Sequence, residues 1–258
     1  MAFESSGVPL LGVLHLPGGP GPHPVVVLLH GFPGNERNFD LAHALSRAGY
    51  AALVFHYRGS WGVEGSWSWG NVLEDSARVV GAVREPRFVN AHRLDANRLA
   101  VLGHSLGGFA ALRTAAADPG VAAAGSFAGF DLGVAGRAAR TDAAVRESLV
   151  RAFGESLSPL RGTSGEELVA EMEAAGPAWE LARLAQRLAH RPVLLVAGTR
   201  DDVSPPETHH YPLVAAYESR LDRLRHTVWP TDHALADHRI ALARTVIGFL
   251  DRDLGPAR

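Results

Sequence analysis

Ser105 lies in the run Gly103-His104-Ser105-Leu106-Gly107-Gly108, between an unbroken apolar stretch (LAVL, 99–102) and an alanine-rich stretch of helical character. Those residue types at that spacing suit nucleophilic chemistry. A tight strand-to-helix turn forces strained backbone geometry on the serine, and glycines around it keep Cβ atoms from clashing. The hydroxyl is then presented above the C-terminal edge of a sheet. The Leu106 N–H and the helix dipole point to where an oxyanion would form. The same five-residue G-x-S-x-G pattern also describes a plain glycine-rich turn with a solvent-facing serine. The apolar strand before it and the helical run after it favour the nucleophile.

A serine hydroxyl is a weak nucleophile near neutral pH and requires a base, itself oriented by a carboxylate. Composition narrows the choice. The chain has no cysteine, and all 25 of its basic residues are arginine. Thiol nucleophiles, Schiff-base lysines, a P-loop lysine and a Ser-Lys pair are therefore impossible. The thirteen histidines are the natural candidates for the base. Two carboxylates, Asp201 and Asp202, follow the apolar run PVLLVA, so they fall at the same strand edge as Ser105. Two histidines, His233 and His238, lie in TVWPTDHALADHR, residues 227–239. No set of histidines and carboxylates shows the spacing of a zinc site, and no metal or cofactor is expected.

The elements that must position these residues alternate in period. Strand-like runs occur at 10–16, 25–30, 51–56, 98–102, 121–127, 193–197 and 225–229, several of them continuously apolar as in strands buried on both faces. Helical patterns occupy 36–48, 71–84, 106–117 and 238–253, the last with Ile240, Ala243, Ile247 and Leu250 on one face. This alternation predicts an α/β fold with a mostly parallel sheet of about eight strands and helices on both faces. Residues 2–16 read as an antiparallel start with a turn at Ser6-Gly7. Residues 130–190 break the alternation with three helical stretches and no strand, which predicts a helical cap inserted in one domain spanning 1–258. Within it, Ser164 and Glu167 form a capping box, Gly176-Pro177 ends that helix, and 132–141 is weakly patterned.

A chain of 258 residues with 47% hydrophobic and 20% charged content can bury a substantial core. Its net charge of −2, without a basic stripe, argues against nucleic-acid or membrane-surface partners. No apolar run is long enough to span a bilayer, and the N-terminus lacks the basic start of a secretory signal. A cytoplasmic location is the expectation. Nothing in the sequence sets an oligomeric state.

Five segments together carry a more specific signal: HGFPG (30–34), HYRGSWGVEG (56–65), GHSLGG (103–108), GTRDDVSPP (198–206) and TDHALADHR (231–239). In this order the chain resembles the α/β-hydrolase superfamily over nearly its whole length, nearest to small esterases and to catalytic domains of the prolyl-oligopeptidase type. The resemblance implies the chain order Ser, acid, His. It makes Asp201 the acid by the G-x-x-D pattern, with Asp202 its neighbour. It makes His233 the base, in the loop before the last helix, with His238 capping or pairing. It also makes the backbone N–H groups of Phe32 and Leu106 the oxyanion donors, with His30 bracing its loop.

The implied activity is hydrolysis of small carboxylic esters through a Ser105 acyl-enzyme. A peptidase or amidase is the near alternative, and a non-catalytic binding protein on the same fold is the distant one. Dehalogenases and epoxide hydrolases would carry Asp in place of Ser105. The loop 57–70 holds three of the five tryptophans, Trp61, Trp67 and Trp69. These are candidates for a substrate pocket, or alternatively for packing at the sheet edge and under the cap. Arg58 is expected to pair internally with Glu64 or Glu74.

Overall fold

The computed structural model describes residues 1–256. Eight strands form one sheet in the order β1-β2-β4-β3-β5-β6-β7-β8. The strands are β1 (Ala2–Ser5), β2 (Val8–His15), β3 (His23–Leu29), β4 (Ala51–Phe55), β5 (Leu94–His104), β6 (Ala123–Phe127), β7 (Val193–Gly198) and β8 (Leu224–Trp229). β1 and β2 pair antiparallel and β2 runs antiparallel to β4. All remaining pairs are parallel. The expected α/β architecture is present, and the turn at Ser6-Gly7 is a two-residue hairpin with both residues at positive φ.

The continuous apolar runs have a direct cause. In β3 every residue is buried, because successive side chains point to opposite faces and both faces are covered. Val25, Val27 and Leu29 join one core layer, whereas Val26 and Leu28 join the other. The first layer is covered by α2 (Trp69–Ala82), α4 (Leu106–Ala117) and α10 (Tyr211–Glu218); the second by α1 (Phe39–Arg47) and α11 (Arg239–Asp253). A short α3 (Pro86–His92) leads into β5, and α9 (Pro206–His209) precedes α10.

The face predicted for α11 is observed except at Ile240: Leu250 is buried, and Ala243 and Ile247 pack partly buried against the core. Ile240 is 72% exposed, and the buried residues are Leu242, Val246, Phe249 and Leu250. The chain enters this helix through a 3-10 turn at Ala236–His238, and Ile240, in the first turn of the helix, lies outside the buried stripe. Residues 242, 246 and 249 recur at helical spacing just as Ile240, Ala243 and Ile247 do, so periodicity could not separate the two faces.

Between β6 and β7 the chain runs through helices only: α5 (Leu132–Thr141), α6 (Ala143–Glu155), α7 (Gly165–Ala175) and α8 (Ala185–Leu188), with 3-10 turns at Gly176–Trp179 and Leu181–Leu184. The weakly patterned 132–141 segment is a regular helix. The Asp131 carboxylate accepts from the Gly133 and Val134 N–H groups at its start, a side-chain cap that offsets poor periodicity. Ser164 caps α7 through the Glu167 N–H, and Gly176 ends it at φ 54°.

Several bonds tie this insertion to the main body, among them those from the Trp67 N–H to the Arg161 carbonyl and from the Arg161 N–H to the Gly59 carbonyl. The Glu171 carboxylate of α7 accepts from the N–H groups of Trp69 and Gly70, at 2.9 and 2.6 Å, at the start of α2. A carboxylate there satisfies orphan donors and meets the positive end of the helix dipole. Replacing Glu171 by Ala is expected to lower stability by about 1–2 kcal/mol, read as a fall of several degrees in the thermal unfolding midpoint.

Candidate active site

The parallel strands carry their following loops to one edge of the sheet. Ser105 follows β5, Asp201 follows β7, His233 follows β8, and the His30–Phe32 loop follows β3. β3 lies between β4 and β5, so the chain reverses direction across the sheet there. That reversal opens the crevice in which α/β proteins bind ligands.

Ser105 has φ 56° and ψ −121°, a conformation that costs a non-glycine residue of order 1–3 kcal/mol and persists only where the surroundings enforce it. Its N–H donates to the Phe127 carbonyl at 2.8 Å, and its carbonyl accepts from Gly108 and Phe109 in α4. The helix can start this close to β3 only because residue 107 is glycine: a Cβ at Gly107 would overlap the Leu29 carbonyl. Gly31 closes the other side. A Cβ there would sit 3.0 Å from Ser105 Cβ and 3.2 Å from the His104 carbonyl, so the His30–Phe32 loop lies directly against the serine turn. Among the described residues, neither the Phe32 N–H nor the Leu106 N–H has a hydrogen-bond acceptor.

His233 is held from two sides. Its Nδ1–H donates to Asp201, 2.8 Å to Oδ2 and 3.0 Å to Oδ1. Its carbonyl accepts from His104 Nε2–H at 2.7 Å, and the two rings stand 4.8 Å apart. With Nδ1 carrying the proton, Nε2 of the neutral ring keeps its lone pair. Burial pushes the His104 imidazole down to about 3, so it stays uncharged beside His233. Asp201 is 4% exposed. Burial alone would raise its pKa, but His233 and the Ser204 and Val203 N–H groups, at 2.7 and 3.0 Å, hold the carboxyl below its usual range. Asp202 is exposed and makes none of these contacts. No hydrogen bond joins Ser105 Oγ to His233 among the described residues; contacts of this kind tighten when substrate enters.

His238 pairs with Asp237 at 2.8 Å and stacks on Trp229, away from Asp201. His30 is fully buried, pushed down to about 3 by desolvation, and its Nδ1–H donates to the Gly31 carbonyl at 2.8 Å. It therefore braces the loop, as expected.

The three tryptophans occupy different positions. Trp67 and Trp69 are each 1% exposed, and Trp69 Nε1–H donates to the Leu168 carbonyl of α7. They pack beneath the inserted helices and back the half-buried Phe32 ring, at 6.1 and 5.3 Å between centroids. Trp61 is half-buried, donates to the Pro33 carbonyl and lies 4.7 Å under the Arg37 guanidinium. Arg58 pairs with Asp75 and Glu74 rather than with Glu64, which fixes this loop on α2. A surface cavity of about 580 Å³ between α1 and α11 shares no residue with the serine turn.

The sequence profile of the Alpha/beta hydrolase family matches residues 26–245, a span that includes the serine turn, the Asp201 loop and His233. The chain belongs to the α/β-hydrolase family. Among curated proteins it is 33% identical over 126 residues to 2,6-dihydropseudooxynicotine hydrolase of Paenarthrobacter nicotinovorans, a match covering 48% of this chain and 33% of that relative. The matched region thus spans about a third of the relative's length. Solved structures with the same fold include Est1E from Butyrivibrio proteoclasticus with ferulic acid bound, at 19% identity and TM-score 0.76 over 98% of this chain and 99% of that one. The Pyrococcus furiosus esterase Pf2001 matches at 17% identity and TM-score 0.73, over 99% and 91%.

The close approach at residue 107 is testable in this α/β hydrolase. Gly107→Ala places a methyl against rigid backbone rather than a movable side chain. The expected loss is about 3 kcal/mol of unfolding free energy, the upper range for overpacking, measured by urea denaturation.

Proposed function

We propose that this α/β hydrolase is a serine carboxylesterase acting on small esters, with Ser105 as nucleophile, His233 as base and Asp201 as its orienting acid. The observation that carries the reading is the His233–Asp201 pair. An imidazole whose Nδ1–H is committed to a buried carboxylate at 2.8 Å has one use for its remaining lone pair at this edge of the sheet, which is to accept a proton. A binding protein needs no such oriented base.

The proposed steps use these three residues in turn. Ser105 Oγ attacks the ester carbonyl carbon as His233 Nε2 takes its proton, and the carbonyl oxygen becomes an oxyanion facing the free N–H groups of Phe32 and Leu106. His233 then returns the proton to the departing alkoxide, leaving Ser105 acylated. Water, deprotonated by the same nitrogen, attacks the acyl carbon and releases the acid. Asp201 stabilises the transient imidazolium without becoming protonated. Each oxyanion donor is worth about 3–4 kcal/mol of transition-state stabilisation. The printed descriptions of the structural neighbours as esterases agree with this chemistry. Amide cleavage would use the same residues and remains the second reading, to be separated by comparing ester with anilide turnover.

Ser105→Ala is expected to abolish hydrolysis of p-nitrophenyl butyrate with circular dichroism unchanged; undiminished turnover would overturn the assignment. A fluorophosphonate is expected to add its mass at Ser105 alone by peptide mass spectrometry. Asp201→Asn is expected to reduce kcat by about 10³–10⁴-fold, the typical cost of losing the correct tautomer. Asp202→Asn should change kcat less than threefold, and the reverse ranking would move the acid.

A further inference from the structure

A second histidine stands beside this constellation with no part in the steps above. His209 is carried on α9, eight residues after Asp201, and is 9% exposed. Its Nδ1 accepts from the Asp131 N–H at 3.1 Å. A backbone N–H can only donate, so Nδ1 is unprotonated and the ring proton is on Nε2. Burial pushes this imidazole down to about 4, with smaller opposing influences from Asp201 and His233, so the ring stays neutral and within electrostatic reach of both. Nε2 has no hydrogen-bond partner among the described residues, and it is not one of the fully enclosed unpartnered atoms. The ring thus offers a donor of fixed direction and no charge.

His209 ends an arc of rings around Ser105. It stacks on Phe130 at 4.6 Å with planes 28° apart. Phe130 lies 6.4 Å from Phe153 of α6, and Phe153 lies 5.3 Å from Phe32, edge to face. Two members of the arc adjoin the serine turn: Phe32 follows Gly31, which abuts Ser105, and the Phe130 backbone N–H donates to the Ser105 carbonyl at 3.3 Å. Phe32 and Phe130 are only half-buried, so their rings keep surface available for another ring. Such contacts favour a flat aromatic group in edge or offset geometry over an aliphatic one of equal area. A neutral N–H at the end of an apolar arc selects among aromatic groups, because it is satisfied only by an acceptor.

We propose that His209 is a specificity residue, whose Nε2–H donates a hydrogen bond to an acceptor substituent on the aromatic group of an ester held by Phe32, Phe153 and Phe130 beside Ser105. The inference rests on the serine-esterase reading and names the substrate class of that same site: aryl-bearing esters with an ether, carbonyl or phenol oxygen on the ring.

The test is a ratio within each protein. Methyl esters of 3- and 4-methoxyphenylpropanoic acid are compared with their ethyl-substituted isosteres and with methyl 3-cyclohexylpropanoate. A second series places the same rings on the alcohol side, as arylethyl acetates. In the wild type, at least one methoxy ester is expected to exceed its ethyl isostere about 5–10-fold in kcat/KM, the worth of one neutral hydrogen bond. The ethyl-substituted aryl ester should in turn exceed the cyclohexyl ester.

In His209→Phe, which keeps a ring against Phe130 but loses the donor, the methoxy-to-ethyl ratio is expected to fall to about one. In His209→Gln, which can still donate, part of the ratio should return. No methoxy preference in either wild-type series, an equal or faster cyclohexyl ester, or a ratio that survives in His209→Phe would each overturn the proposal. The wild-type ratios decide it even where a variant does not fold. Hydrolysis that persists in Ser105→Ala would instead remove the serine-esterase reading beneath it.

Discussion

The arrangement depends on how closely β3, β5 and α4 approach one another at Ser105. The serine sits at φ 56°, a backbone state that a free chain would leave, and it is kept there by bonds from neighbouring elements. Phe127 of β6 accepts its N–H, and α4 and Phe130 donate to its carbonyl. None of this is possible unless the helix starts against the Leu29 carbonyl, which requires the missing side chain at Gly107. One atomic constraint thus sets the direction of the hydroxyl and leaves the Leu106 N–H unpaired. The Gly31 loop lies against the same turn, and the Phe32 N–H that follows it is likewise unpaired among the described residues.

The electrostatics of the site follow from where burial falls. Three histidines of this region, His104, His209 and His30, are buried and therefore neutral. Each then acts as a dipole with a defined donor and acceptor end. His104 uses its donor end on the His233 carbonyl, so the turn that carries the serine also fixes the His233 loop. Asp201 stays ionised despite burial because three N–H groups converge on it. A carboxylate satisfied by backbone donors and one imidazole is rigid, and it holds the His233 ring in turn.

The inserted helices reach the site through aromatic packing. Trp67 and Trp69 do not line an opening; they fill the space between the sheet and α7 and support Phe32 from behind. Phe153 of α6 closes on the same ring. Glu171 holds α7 to the start of α2 with two backbone bonds, and Asp131 ties the two ends of the insertion together by also accepting from the Leu181 N–H. Movement of the insertion would therefore be transmitted to Phe32, and through it to one of the two free N–H groups.

Much of this was legible in the amino-acid order. Continuous apolar runs specify strands buried on both faces, and glycines at 103, 107 and 108 specify a turn that cannot tolerate side chains. The separate positions of Ser105, Asp201 and His233 after three parallel strands place them at one edge, because parallel strands share a direction. The composition excluded thiol and lysine chemistry outright. Other features depended on contacts between distant residues, which local pattern does not encode. Ile240, in the first turn of α11, faces solvent although its spacing places it with Ala243, Ile247 and Leu250. Arg58 chose Asp75 and Glu74 over Glu64 because α2 carries both past it. The 132–141 segment became a helix through a side-chain cap at Asp131. His209 looked like one of several spare histidines, and only the fold brought its ring onto Phe130 and its Nδ1 to the Asp131 N–H. Chemistry that resides in one short turn is written in the sequence; the direction of a donor or the choice of an ion-pair partner is decided where separate elements meet.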